Sequence, residues 1–191
     1  MSTHHPLSRR WAAWEHRSKA DEDESWSDQF LRLCEMDTVE TFWAFAMQYP
    51  KPSTLFRGIV PGKAPPKIFR KGRESRVLGI MLLQCPIPPE TRATNPTGEV
   101  YTTGRLIGDV SVGFDELEEK WDEVWERLCL LAIGDGIPST LVNGVWMCNR
   151  TKWGEPFIKL RFEVWLSRRE EAAEVQRCLK LYLCEVPFLL R

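Results

Sequence analysis

From Phe157 to Trp165 the chain alternates between two kinds of side chain. Ile158, Leu160, Phe162 and Val164 fall on one side of a strand, and Lys159, Arg161, Glu163 and Trp165 on the other, because successive side chains of an extended chain point to opposite faces. The apolar set needs a layer to bury it. Helical segments elsewhere in the chain can supply that layer, which makes this a strand of a sheet packed by helices on one face only. The other face carries two cations and a tryptophan side by side.

The helices can be read from their caps and stripes. Asp37 with Glu40 reads as a capping box ahead of Val39, Phe42, Trp43, Ala46 and Met47, and Pro50 stops that helix. Asp115 with Glu118 opens a second helix that runs to Ile133, ahead of Gly134, with Leu117, Trp121, Val124, Leu128 and Leu131 in one stripe. Ser167 with Glu170 opens a third, with Ala172, Val175, Leu179, Tyr182 and Leu183 on one side. Strands are expected at 10–15, 30–34, 77–83, 141–149 and 157–165, with a short last one at 186–190. The expected fold class is therefore α+β: a single domain over 1–191, one curved antiparallel sheet with helices on one face. Residues 1–10 read as a flexible N-terminal segment, 50–76 as a long loop, and the Pro- and Gly-containing stretch 84–113 as an insertion.

Composition narrows the function. A chain of 191 residues with 43% hydrophobic and 28% charged residues can fill one core and is short for two. No apolar run approaches the ~18 residues that would suggest a membrane helix, and the polar, basic stretch 1–14 lacks a signal-peptide core. The simplest address is the cytoplasm, with the nucleus open. The six cysteines have no two-residue spacing and only three histidines accompany them, so reduced, mostly buried thiols are expected and no metal site. Phosphate-loop, dinucleotide-fingerprint, nucleophile-elbow and zinc-protease motifs are all missing from the sequence. His4, His5 and His16 all lie near the N-terminus. A binding protein is expected, not an enzyme, and no cofactor.

Net charge is only −1, but it is segregated. Arg57, Lys63, Lys67, Arg70, Lys71, Arg73 and Arg76 stand against Glu74 alone, while 109–127 holds eight acids against Lys120 and Arg127. A neutral chain with a local basic patch suits a small anionic ligand better than long duplex DNA. Arg150 and Lys152, in the turn before the alternating strand, add to its two cations. An aromatic ring beside clustered cations is what a nucleotide requires, a surface for stacking and donors for phosphates. By itself the strand fits a solvated sheet face with one amphipathic tryptophan better than a ligand site. Nine tryptophans in 191 residues is several times the ordinary share.

The segments HPLSRRWAAW (5–14), SW (25–26) and MDTVETFWAF (36–45), then VWERLCLLAIGD (124–135) and NGVWMCNRTK (143–152), resemble the translation initiation factor 4E family of mRNA cap-binding proteins. The resemblance covers most of the chain, with 50–113 poorly matched. It implies about eight antiparallel strands with three helices on the convex face, and a concave face that takes 7-methylguanosine triphosphate. Methylation makes the guanine cationic, so a sandwich between indoles gains cation–π as well as stacking energy. By motif position Trp26 resembles the first sandwich ring, Trp165 the ring that touches the methyl group, and Arg150, Lys152 and Arg161 the phosphate ligands.

One departure stands out. After a GI-x-P stretch the family carries a Trp-Glu pair, the second ring and the guanine-edge carboxylate. Here the stretch is GIVPGKAP (58–65), with Lys63 and Ala64 in those places. Phe69 is the one aromatic nearby, and 84–113 offers Tyr101 and Glu99. The family's second site, on the helical face, binds a helix of a scaffold initiation factor or of a repressor sharing its motif. His5, Pro6, Leu7, Val39, Trp43 and Leu130 match it. Where the family has an acid for the partner's basic side chain, this chain has Arg127, with Glu126 adjacent. The resemblance thus implies a monomeric protein that binds the mRNA cap and a scaffold. The alternatives are a cap-binding translational repressor and an interaction module that has lost the cap.

Overall fold

A computed structural model describes residues 4–19, 22–56, 68–70, 73–89, 101–113, 120–138, 140–151, 155 and 157–191, with backbone alone at 68–70 and 73–75. Among the described residues nine strands run in chain order: β1 (Pro6–Arg17), β2 (Phe30–Thr38), β3 (Ile68–Arg70), β4 (Arg73–Ser75), β5 (Val77–Gln84), β6 (Gly104–Val112), β7 (Val142–Asn149), β8 (Ile158–Leu166) and β9 (Leu189–Leu190). Seven of them form one antiparallel sheet in the order β2-β1-β5-β7-β8-β6-β9, and β3 and β4 pair separately. Helices α1 (Val39–Gln48), α3 (Lys120–Ile133) and α4 (Ala172–Tyr182) are joined by the single-turn α2 (Pro52–Leu55).

The expected architecture is present, with seven strands in the main sheet rather than eight. Ile158, Leu160, Phe162 and Val164 of β8 lie in the main core with Leu128 and Ala132 of α3 and Val175 and Leu179 of α4. β1 and β5 contribute Trp11, Ala13, Ile80 and Leu82 to the same side. Two ties hold helices to this core through buried acids. Ser53 donates to the Asp122 carboxylate from its backbone N–H (2.8 Å) and its hydroxyl (2.6 Å), which fixes α2 against α3. The Tyr49 hydroxyl donates to Glu15 on β1 at 2.5 Å.

Several boundaries differ from the sequence reading. Residues 6–10, expected to be flexible, belong to β1, whose Pro6 stands opposite Thr38. The supposed insertion 84–113 ends in β6, a nine-residue strand between β8 and β9. Its sequence, GRLIGDVSV, carries two glycines that weaken any strand signal. Gly108 is one of them, and a Cβ there would lie 2.2 Å from Val186.

The capping residue of α1 is Thr38, not Asp37. The Thr41 N–H donates to the Thr38 hydroxyl (3.2 Å) and the Thr38 N–H to the Thr41 hydroxyl (3.1 Å). Glu40 is thereby released to bind His5. At α4 the Ser167 hydroxyl bonds Asn143 instead (2.9 Å), and the helix follows a 3-10 turn at Arg169–Glu171 without a side-chain cap. Tyr182, expected in the α4 stripe, is exposed. Asp115 and Glu118 lie outside the described residues.

Candidate ligand face and partner face

Strand register assembles the face away from the helices. One row across the sheet reads Phe30, His16, Gly79, Cys148, Arg161, Asp109, and the next reads Arg32, Trp14, Met81, Trp146, Glu163, Ile107. Residues as far apart as Gly79 and Cys148 thus become direct neighbours. At about 4.8 Å per strand, His16 and Arg161 stand about 14 Å apart, a span that fits a base and a phosphate chain.

The middle of this face is apolar. Met81, Leu83, Trp146, Cys148 and Trp165 form a second buried cluster, with Trp14 and Phe30 packed against it. Gly79 makes the room. A Cβ there would lie 2.5 Å from the Trp146 Nε1 atom, so the bare glycine lets the indole lie across its strand. Trp146 meets Trp165 edge-on, with centroids 6.5 Å apart. Trp165 therefore faces the expected side, yet it is 0% exposed and offers no ring surface to a ligand. Its indole N–H donates to Glu163 at 3.2 Å, and the same carboxylate oxygen accepts from Arg105 at 3.1 Å. The expected contact ring is, as placed, part of the floor.

Trp26 is different. It is 48% exposed, in the turn before a 3-10 helix at Ser27–Gln29. The Ser25 hydroxyl donates to Asp28 at 2.7 Å and braces this turn. The indole leans on His16 (4.8 Å) and on the edge of Phe30 (5.2 Å). His16 in turn stacks on Phe30 at 4.6 Å and 13°. Burial pulls the His16 pKa down to about 4; Arg150 adds to the shift and Gln29 opposes it. At neutral pH the ring is therefore an uncharged aromatic support for Trp26.

The cations collect at the far side. Arg150 is exposed, and its backbone N–H donates to the Lys159 carbonyl at 2.7 Å. Arg161 is gripped by Asp109 through two hydrogen bonds, Nε to Oδ1 at 2.7 Å and Nη2 to Oδ2 at 2.9 Å. Lys159 pairs with Glu155 at 2.6 Å. Lys152, Lys63, Ala64 and Glu99 lie outside the described residues. The Phe69 backbone lies in β3 opposite Glu74, and its side chain is outside the description. Tyr101 is half-buried, and its carbonyl accepts from Asn143.

On the helical side the second set of expected residues is drawn together at the start of β1 and α1. The Val39 N–H donates to the His5 carbonyl at 2.9 Å. The His5 N–H donates to both Glu40 oxygens, and its Nδ1 lies 2.6 Å from Oε1. The hydrogen bonds from His5 hold the Glu40 pKa down at about 2. Pro6 is exposed and Leu7 half-buried against the core. Val39 and Trp43 are each 37% exposed and one turn apart, and Met47, the next turn on, is 82% exposed. Leu130, on α3, is half-buried against the core. Arg127 is turned away, donating to the Tyr182 carbonyl (3.1 Å) and pairing with Glu185 (3.0 Å).

Sequence reading missed the Trp14, His16, Phe30 and Trp146 aromatics and both carboxylates, Asp109 and Glu163, as parts of the ligand face. For Trp14 and His16 the alternation along β1 was an available signal. Asp109 was hidden in the stretch taken as an insertion.

No family model matches the chain. Eukaryotic translation initiation factor 4E of Saccharomyces cerevisiae is 36% identical over 156 residues, 80% of this chain and 60% of that protein. The Candida glabrata factor of the same name is 29% identical over 164 residues, 84% of this chain and 62% of that protein. The chain thus spans about 60% of the length of these relatives. Among solved structures, Ascaris suum eIF4E-3 with m7G cap superposes with a TM-score of 0.70 at 21% identity, covering 99% of this chain and 91% of that one. A schistosome eIF4E complexed with m7GpppA and 4E-BP gives 0.68 at 18%, covering 100% and 88%. The chain is thus similar in sequence to eukaryotic translation initiation factor 4E proteins and shares their fold.

Proposed function

We propose that the protein binds the 7-methylguanosine cap of mRNA on its concave face and, through its helical face, recruits it to a translation initiation complex in the cytoplasm. The observation that carries this reading is the concave row itself: an exposed indole, Trp26, at one side and the guanidiniums of Arg150 and Arg161 at the other, over an aromatic floor. Trp26 supplies the stacking and cation–π surface, and the arginines take the phosphates. Lys152 and Phe69 are proposed to complete the set, Phe69 as the second ring. The Ascaris suum neighbour is bound to m7G cap, and a C. elegans eIF4E-3 neighbour is in complex with the 4E-binding protein Mextli and cap analog. His5, Pro6, Leu7, Val39, Trp43 and Leu130 are proposed to hold a scaffold or repressor helix. The protein acts here by binding alone.

The test is retention on cap resin with free cap analogue as competitor, for the wild type and Trp26→Ala. Specific retention that falls at least tenfold in Trp26→Ala is expected; equal retention of the two overturns the assignment. A second reading, an interaction module that has lost the cap, draws support from the covered Trp165 and from Arg161 already being paired with Asp109. It predicts no competed retention at all but intact partner binding.

A further inference from the structure

We propose that Asp109 sets the anion selectivity of the concave face by occupying Arg161 until a polyphosphate of sufficient charge takes its place. This inference rests on the cap reading for the identity of the natural ligand, but its test does not. Asp109 and Arg161 face each other directly in the β6–β8 register. The bond is bidentate, 2.7 and 2.9 Å, the geometry in which a carboxylate mimics the oxygens of a phosphate on a guanidinium. The pair is also accessible. The Asp109 side chain is 48% exposed and Arg161 21%, so an incoming anion reaches both without unfolding.

The neighbouring ion pair shows that this arrangement is not a general feature of the seam. Arg105 and Glu163 join the same two strands with opposite polarity, but Glu163 is only 3% exposed and also holds the Trp165 indole. The Glu163 carboxylate is therefore structural and closed to solvent, although Arg105 itself is 36% exposed. Among the described residues Asp109 has no second hydrogen-bond partner of that kind, and its carboxyl is held below the usual carboxylate range by Arg161, with Arg191 and Arg150 adding their charge. A phosphate chain reaching Arg150 and Arg161 would approach a fixed negative charge at Asp109. Two like charges close together on a partly screened surface repel, and the repulsion grows with proximity. Phosphate is therefore discriminated by charge: a single phosphate gains one guanidinium contact against that repulsion, whereas a triphosphate can engage Arg150 and Arg161 together and displace the carboxylate.

The experiment measures binding of inorganic tripolyphosphate, inorganic phosphate and 7-methylguanosine triphosphate by isothermal titration to the full chain, for the wild type, Asp109→Asn, Arg161→Gln and the double variant. Asn keeps the size and an acceptor oxygen for Arg161 but removes the charge. Asp109→Asn is expected to tighten tripolyphosphate about tenfold and to narrow its preference over single phosphate. The gain should disappear when Arg161 is also replaced. Unchanged or weaker tripolyphosphate binding in Asp109→Asn overturns the proposal, as does a gain that survives Arg161→Gln. If tripolyphosphate responds as expected while the methylated nucleotide binds no better than tripolyphosphate, the charge selection stands and the cap reading falls.

Discussion

Replacing Gly79 with alanine tests whether the concave face is built on one missing side chain. The new Cβ would lie 2.5 Å from Trp146 Nε1, 2.8 Å from the Met147 carbonyl and 2.9 Å from Cys148 Cβ. All three neighbours belong to β7, and the Met147 carbonyl and the Cys148 Cβ are held by its backbone and cannot swing aside. Trp146 is itself wedged between Trp165 and His16, with centroids at 6.5 and 5.7 Å. Relief must come from separating β5 and β7 or tilting the indole, and overpacking of this kind costs about 1–3 kcal/mol. With three contacts under 3.0 Å, the upper half of that range is expected. For a domain of this size it corresponds to a fall in melting temperature of roughly 4–12 °C. Gly104→Ala is the control, because its Cβ would meet Arg169 at 3.3–3.4 Å and should cost less than about 1 kcal/mol. Thermal and urea unfolding of the three proteins, followed by tryptophan fluorescence, gives the comparison. If Gly79→Ala melts within a degree of wild type, or no lower than Gly104→Ala, the close packing of Trp146 on β5 is wrong.

Three further outcomes are expected. Trp43→Ala, measured by binding of a scaffold-derived helix and by cap-resin retention, should weaken the first and spare the second, since the ring is 37% exposed on the helical face; joint loss of both with a lowered melting point would make it a core residue. Phe69→Ala should weaken binding of cap analogue, and Phe69→Trp should strengthen it by roughly 1 kcal/mol at most, read by fluorescence titration; wild-type affinity in the alanine variant sends the search for the second ring elsewhere. His16 adds a pH dependence. Its folded pKa of about 4 lies below the ordinary 6.5, so the unfolded chain takes up the proton first, and stability falls as pH drops from 6.5 to about 4, by roughly 3 kcal/mol at most. His16→Phe keeps the stack on Phe30 and should flatten that part of the stability–pH curve; an unchanged slope would show that His16 is not its source.

Local patterns determined much of this protein. The alternation in 157–165 set the two faces of β8, the apolar stripes located α1 and α3, and the polar flanks of Trp26 pointed to an exposed aromatic position. These are one-dimensional signals, carried by the period of a strand or helix and by neighbours within a turn. Tertiary structure decided the rest. Trp165 was correctly placed on the concave side, but its exposure depended on Trp146, which Gly79 admits from a different strand. The resemblance points to Arg161 as a phosphate ligand, but its partner Asp109 lies 52 residues away on β6, in a stretch whose prolines and glycines read as an insertion. Glu40 resembled a cap for its own helix and instead secures the start of β1 through His5. Burial and pairing across a sheet are set by register between strands distant in the chain, and no local period encodes which row a residue will share.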